Sequence, residues 1–149
     1  MYRLVASLFC VFAVVLPAAA GTGGVEFYAA DLKWVLLAAP GSSVVQVFDV
    51  SRGVTPLASL RSARRGKVLA VHVQRASRRV WVLADSGLDV HDGFNGRLLG
   101  HWAAPAGVRL ERLDIDGAGR LAAWSGARAY EAVVGAVVLV PSGARLSMR

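Results

Sequence analysis

The stretch VLAVHVQ at residues 68–74, followed by RVWVLA at 79–84 and LDVH at 88–91, decides the fold class. Apolar residues, mostly β-branched or aromatic, recur at every second position, which is the period of a half-buried strand. Gly, Ser and Asp bound these runs. After residue 20, no window shows the 3.6-residue period of an amphipathic helix. The sequence therefore predicts an all-β protein.

The same pattern extends over the rest of the chain and predicts twelve strands in three sets of four. Turn residues separate them, including the Asn-Gly pair at 95–96, which suits a tight hairpin. The predicted strands cover residues 25–30, 33–38, 44–50, 55–60, 67–74, 79–84, 87–92, 97–102, 109–115, 120–124, 127–133 and 136–140.

An internal repeat supports this grouping. The triplet VFD at 47–49 recurs as VHD at 90–92, and VHV at 71–73 recurs as LDI at 113–115, so the repeat is about 42–43 residues long. The same strand of each set carries a tryptophan, namely Trp34, Trp81 and Trp124. A four-stranded repeat of about 40–45 residues is typical of a β-propeller blade. We therefore predict blades at about residues 25–60, 67–102 and 109–140.

The segment from Val44 to Trp124 resembles the YVTN-type and quinoprotein-dehydrogenase-like β-propeller repeat proteins of bacterial export. The resemblance rests on VFD at 47–49, on LDVHD at 88–92 with GRLL at 96–99, and on LDID at 113–116 with GRL at 119–121. It implies a partial propeller of about three blades. The chain departs from the family in having so few blades, and in carrying WVLA at 81–84 where the Tyr-Val-Thr-Asn signature would stand.

Three blades are too few to close a ring, because propellers have typically four to eight. Three arrangements follow: self-association of two copies or docking on a larger propeller partner, an open partial propeller, or a compact sandwich of the same strands. The apolar run at 132–140 is too short to span a membrane. It predicts one or two buried strands, or an exposed edge that awaits a partner.

The N-terminus is typical of an export signal. Arg3 precedes an uncharged apolar run at 4–16, and Pro17 is followed by small residues that fit a signal-peptidase site after Ala20. We predict a signal peptide at 1–20, a domain at 21–149 and a periplasmic or secreted protein. The alternative is an uncleaved anchor in the inner membrane, which would be the chain's only membrane contact. Cys10, the single cysteine, lies within the signal.

Composition leaves a basic surface to explain. The 149 residues are 55% hydrophobic, with mean hydropathy +0.49, and carry a net charge of +7. The cluster at 61–67 holds Arg61, Arg64, Arg65 and Lys67 in the link between the first two blades. Such a cluster attracts anionic partners. We expect an anionic envelope component there; nucleic acid is disfavoured outside the cytoplasm. The alternative is a solvated loop that keeps the protein soluble.

Catalytic chemistry has little support in the sequence. No nucleophile motif, metal-ligand spacing or phosphate-binding loop occurs, so we predict no catalytic residue, no metal and no cofactor. In a propeller enzyme, Asp85, Asp89 and His91 would be the channel-facing candidates. We expect a non-enzymatic binding or scaffolding module. The alternative is a fragment or accessory domain of a quinoprotein-dehydrogenase-like enzyme.

Overall fold

The computed structural model describes residues 24–115 and 120–142, and the predicted signal peptide at 1–20 lies outside this part of the chain. Twelve strands form there. Their bounds are β1 Val25–Ala29, β2 Trp34–Ala38, β3 Val44–Asp49, β4 Thr55–Arg61, β5 Val68–Gln74, β6 Arg79–Ala84, β7 Gly87–Asp92, β8 Leu98–Ala103, β9 Arg112–Ile115, β10 Leu121–Ser125, β11 Arg128–Glu131 and β12 Val140–Pro141.

The strands form three four-stranded antiparallel sheets, β1 to β4, β5 to β8 and β9 to β12. In each sheet, strands that are consecutive in the chain are neighbours. The described residues include no helix. The predicted all-β class and the predicted grouping into three sets of four strands are therefore confirmed.

The sheets pack face to face around two apolar layers. The first layer lies between the first and second sheets and includes Leu36, Val47 and Val82. The second layer contains residues of the second and third sheets, including Leu83 and Ala123. Because successive side chains of a strand point to opposite faces, β6 contributes alternate residues to both layers. The first strands of the sheets are neighbours in order, with β1 against β5 and β5 against β9.

Aspartates at equivalent positions of the repeat stabilise the turn that follows a strand. The Asp49 carboxylate accepts a hydrogen bond from Ser51 N at 2.7 Å after β3. The Asp92 carboxylate accepts one from Phe94 N at 2.8 Å after β7. An Asp side chain that caps the backbone two residues ahead stabilises a turn. The Asp that recurs in the repeat therefore ends the third strand of the first sheet and of the second sheet.

The last predicted strand differs from the structure. Only Val140 and Pro141 form β12, while Val138 makes an isolated parallel bridge to Ala103 at the end of β8. Gly135, at φ 89°, lies in the turn that interrupts the apolar run. Because this turn redirects the backbone, the segment bonds first to the second sheet and then to the third.

Candidate functional site

The basic cluster covers the last residue of β4, Arg61, and the loop that connects β4 to β5, and we call residues 61–67 the basic loop. Ser62 and Gly66 are buried in it, whereas all four cationic side chains are exposed; these are Arg61, Arg64, Arg65 and Lys67. The predicted binding residues therefore lie together on one solvent-exposed loop with two buried points of attachment.

A tight turn sets the shape of the basic loop. The amide of Arg65 donates to the carbonyl of Ser62 at 3.0 Å, and the amide of Gly66 donates to Ser62 Oγ at 3.2 Å. Arg65 has a φ of 53°, a left-handed conformation that costs a non-glycine residue about 1 kcal/mol. Ser62 is 1% exposed. Its two bonds hold the turn in this otherwise unfavourable conformation.

Two carboxylates of the second sheet fix the backbone of the basic loop. Asp89 Oδ2 accepts a hydrogen bond from Ala63 N at 2.9 Å, and Asp85 Oδ1 accepts one from Lys67 N at 2.9 Å. The amide of Asp85 also donates to the carbonyl of Lys67 at 3.0 Å. A Cβ built on Gly66 would overlap Ser86 Oγ and Asp85 Oδ1 and would lie 2.8 Å from Ser86 Cβ, so a larger residue would require the Asp85–Ser86 turn to shift. The loop is therefore bonded to the second sheet at both ends of its turn.

Asp89 is the buried centre of this attachment. Its side chain is 1% exposed, and its Oδ1 accepts a bond from His101 Nδ1 on the adjacent strand β8. The same carboxylate thus joins the basic loop to β8. Charge-assisted bonds of this kind are about twice as strong as neutral ones. The sequence analysis missed His101, because a two-residue Asn-Gly turn would place Trp102 opposite Asp89, whereas the bulge between Val90 and His91 shifts the register and pairs Asp89 with His101.

His91 lies on the same face of β7 as Asp89 and is also 1% exposed. Its Nδ1 donates to the carbonyl of Gly96 at 3.3 Å, so the tautomer is fixed with Nε2 unprotonated when the ring is neutral. Burial lowers the pKa of His91 below its ordinary value, although the Gly96 bond and the Asp89 charge act in the opposite direction. Its Nε2 is buried and has no hydrogen-bond partner among the described residues. Neutral imidazole is the form that this environment favours.

The charge of the basic loop is not neutralised locally. Salt-bridge contacts among the described residues join Arg75 to Asp31, Arg112 to Asp114, and the His101 ring to Asp89. None involves a side chain of the basic loop, and the two acids nearest to it bind its backbone amides. Exposed cations without partners retain their attraction for external anions.

The residues proposed for catalysis have structural partners here. Asp85 and Asp89 bind the backbone of the basic loop, and His91 binds the hairpin turn that follows its strand. Within residues 24–115 and 120–142, no three His, Cys, Asp or Glu side chains are arranged to hold a metal ion. The structure thus connects the acids to the basic loop, two features that sequence reasoning treated separately.

Trp102 of β8 packs against other parts of the protein. Its ring stacks on Trp81 with centroids 5.9 Å apart, and its indole N–H donates to the carbonyl of Val133 at 3.0 Å. It therefore fastens the segment after β11 to the second sheet.

In the described part of the chain, no helix has the length and apolar character needed to cross a bilayer. No protein-family model matches the sequence, and a search of curated proteins also finds no match.

Proposed function

We propose that the three sheets are consecutive blades of an open β-propeller and that the protein is an exported, non-enzymatic binding or scaffolding module. The order of contacts supports this arrangement, since β1 neighbours β5 and β5 neighbours β9, as the innermost strands of adjacent blades do. The repeat of about 42–43 residues and the resemblance to YVTN-type and quinoprotein-dehydrogenase-like propellers support it as well. Export is proposed from the signal-like pattern at residues 1–20.

The binding surface of the proposed module is the basic loop, and its ligand is an anionic envelope component bearing phosphate groups. One observation carries this proposal: next to a turn fixed by buried Ser62 and Asp89 lie four exposed cations that form no ion pair with any other described residue. A loop that serves only solubility does not need a rigid backbone. Fixing the backbone reduces the conformational entropy lost on binding, which favours a binding role.

The test compares two variants that lose the same charge. In the first, Arg61, Arg64, Arg65 and Lys67 are changed to Ser. In the control, Ser replaces four exposed arginines elsewhere, namely Arg52, Arg79, Arg97 and Arg128. Both are titrated with soluble polyphosphate and with vesicles containing phosphatidylglycerol. We expect the first variant to bind much more weakly and the control to keep most of its affinity, because the site is local and not the result of net charge.

The two ligands distinguish the source of the phosphate groups. Binding to vesicles alone identifies a lipid surface, and binding to polyphosphate alone identifies a soluble polymer. Equal losses of affinity in the two variants would contradict a specific binding role for the basic loop. They would indicate that its charges serve solubility instead.

The proposed partner that completes the propeller is a second copy or a larger propeller. The segment after β11 leaves apolar side chains in water, with Val134 96% and Val137 78% exposed. Light scattering coupled to size exclusion tests the first option. A mass of two chains supports closure by two copies, and a stable monomer argues against it.

The alternative function, a fragment or accessory domain of a quinoprotein-dehydrogenase-like enzyme, has no specific observation in its favour. The acids and histidine named for it, Asp85, Asp89 and His91, have their contacts in the attachment of the basic loop and the adjacent turn. A binding role accounts for these contacts directly.

A further inference from the structure

A cavity of about 260 Å³ lies between the second and third sheets, separate from the basic loop. The basic loop lies at the beginning of β5, whereas the cavity is lined by His72 and Gln74 at the end of that strand. Its lining combines apolar and hydrogen-bonding side chains, and consists of His72, Gln74, Trp81, Leu88, Ile115, Arg120, Leu121, Glu131 and Ala132.

The apolar wall of the cavity is preformed. Trp81 is stacked on Trp102 at 5.9 Å with 25° between the ring planes. Trp102 in turn bonds to Val133, the residue after Ala132 in the lining. Leu121 of the third sheet also lines the cavity and packs with Trp81 in the second apolar layer. A rigid indole offers a large contact area at a small entropic cost, which suits the flat apolar face of a ring.

The polar side of the cavity carries both donors and acceptors and little net charge. Glu131 supplies an acceptor and Arg120 a positive charge, while the Gln74 oxygen accepts from Ser77 Oγ at 3.0 Å and the amide nitrogen of Gln74 is a donor. The negative charge of Glu131 and the positive charge of Arg120 sum to zero. Burial and the nearby Arg75 charge lower the pKa of His72, which favours its neutral form near pH 7. Such a lining favours a neutral ligand with several hydroxyl groups over an anion.

We propose that this cavity binds one neutral pyranose ring, as a free sugar or as the end of a glycan, with its apolar face on Trp81 and its hydroxyls bonded to Gln74 and Glu131. The volume agrees with a ligand of this size, because pockets for drug-sized molecules begin at about 300 Å³. This site does not depend on the basic loop, and the two tests use different ligands and different residues.

The test uses saturation-transfer NMR and tryptophan fluorescence on the intact protein with D-glucose, D-galactose and N-acetyl-D-glucosamine. We expect at least one sugar to bind with a Kd of about 1 mM, an affinity reasonable for a single ring with few hydrogen bonds. The variant Gln74→Ala removes one proposed contact, and Glu131→Gln removes the charge from the other, in both cases without emptying the core. We expect Glu131→Gln to raise the Kd about tenfold, since it replaces a bond to a charged group.

The controls are the same substitutions on the first sheet, Gln46→Ala and Glu26→Gln, at exposed positions. They should leave the Kd unchanged. The proposal is overturned if none of the three sugars binds, or if both cavity variants bind as the wild type does. It is also overturned if glycine or L-alanine binds and the sugars do not, because that result would identify a zwitterion site.

Discussion

Replacing Asp89 by Asn tests whether one buried carboxylate holds the basic loop in place. The side chain is 1% exposed and accepts bonds from His101 Nδ1 and, at 2.9 Å, from Ala63 N. Each bond to a buried charge contributes about 1.5–3 kcal/mol, and an unsatisfied buried donor costs about 1–3 kcal/mol. Asn keeps the shape but has one acceptor atom in place of two. We therefore expect the free energy of unfolding to fall by about 2–4 kcal/mol.

Urea denaturation measures this loss, with an expected decrease of about 1–2 M in the midpoint. Amide hydrogen exchange should also accelerate at Ala63, where the donor loses its partner. The control is Asp114→Asn, which removes an exposed carboxylate 3.5 Å from Arg112 and should change stability by less than about 1 kcal/mol. If Asp89→Asn also changes the free energy of unfolding by less than about 1 kcal/mol, and amide exchange at Ala63 is unaltered, Asp89 does not anchor the loop.

Three further predictions concern stability. Burial lowers the pKa of His91 in the folded protein, so the unfolded chain takes up a proton at this residue first as the pH falls. The contribution of His91 to the free energy of unfolding is therefore fully present above about pH 6.5 and decreases below it, with a slope of at most about 1.4 kcal/mol per pH unit. His91→Phe should flatten this dependence in melts between pH 5 and 8, and an unchanged slope would assign it to other groups. Gly87→Ala should cost about 2 kcal/mol or more in urea titrations, because its Cβ would overlap the carbonyl oxygen of Trp102, whereas wild-type stability would show that the strands can separate there. Leu139→Ala should cost about 2–4 kcal/mol and Val134→Ala under about 0.5, since they are 2% and 96% exposed; equal effects would mean that the segment is not docked.

The strands were predictable because their pattern is local. Alternation at 68–74 and 79–84 places the apolar residues at fixed faces regardless of what packs against them, and the Asp caps after β3 and β7 end the strands within a few residues. The apolar run at 132–140 was harder, because its path depends on a contact with Ala103 some 35 residues away. No local period encodes such a contact.

The attachment of the basic loop was not predictable for a similar reason. Acidic residues are almost never fully buried unless they are paired, and the partners of Asp89 lie 26 and 12 residues away in the chain. The bulge in the pairing of β7 with β8, between Val90 and His91, also shifts the register of the hairpin. The four cations were visible in the sequence, but the rigidity of their backbone depends on these long-range bonds.

The most direct test of the proposed binding role is the salt dependence of polyphosphate affinity, compared between the protein and the variant with Ser at positions 61, 64, 65 and 67. Each phosphate contact made by Lys or Arg releases counterions and adds about one unit to the slope of log K against log salt concentration. We predict that the variant loses about three units of slope, while the matched variant at Arg52, Arg79, Arg97 and Arg128 loses less than one. Identical slopes for the protein and the variant of the basic loop would contradict the proposed site.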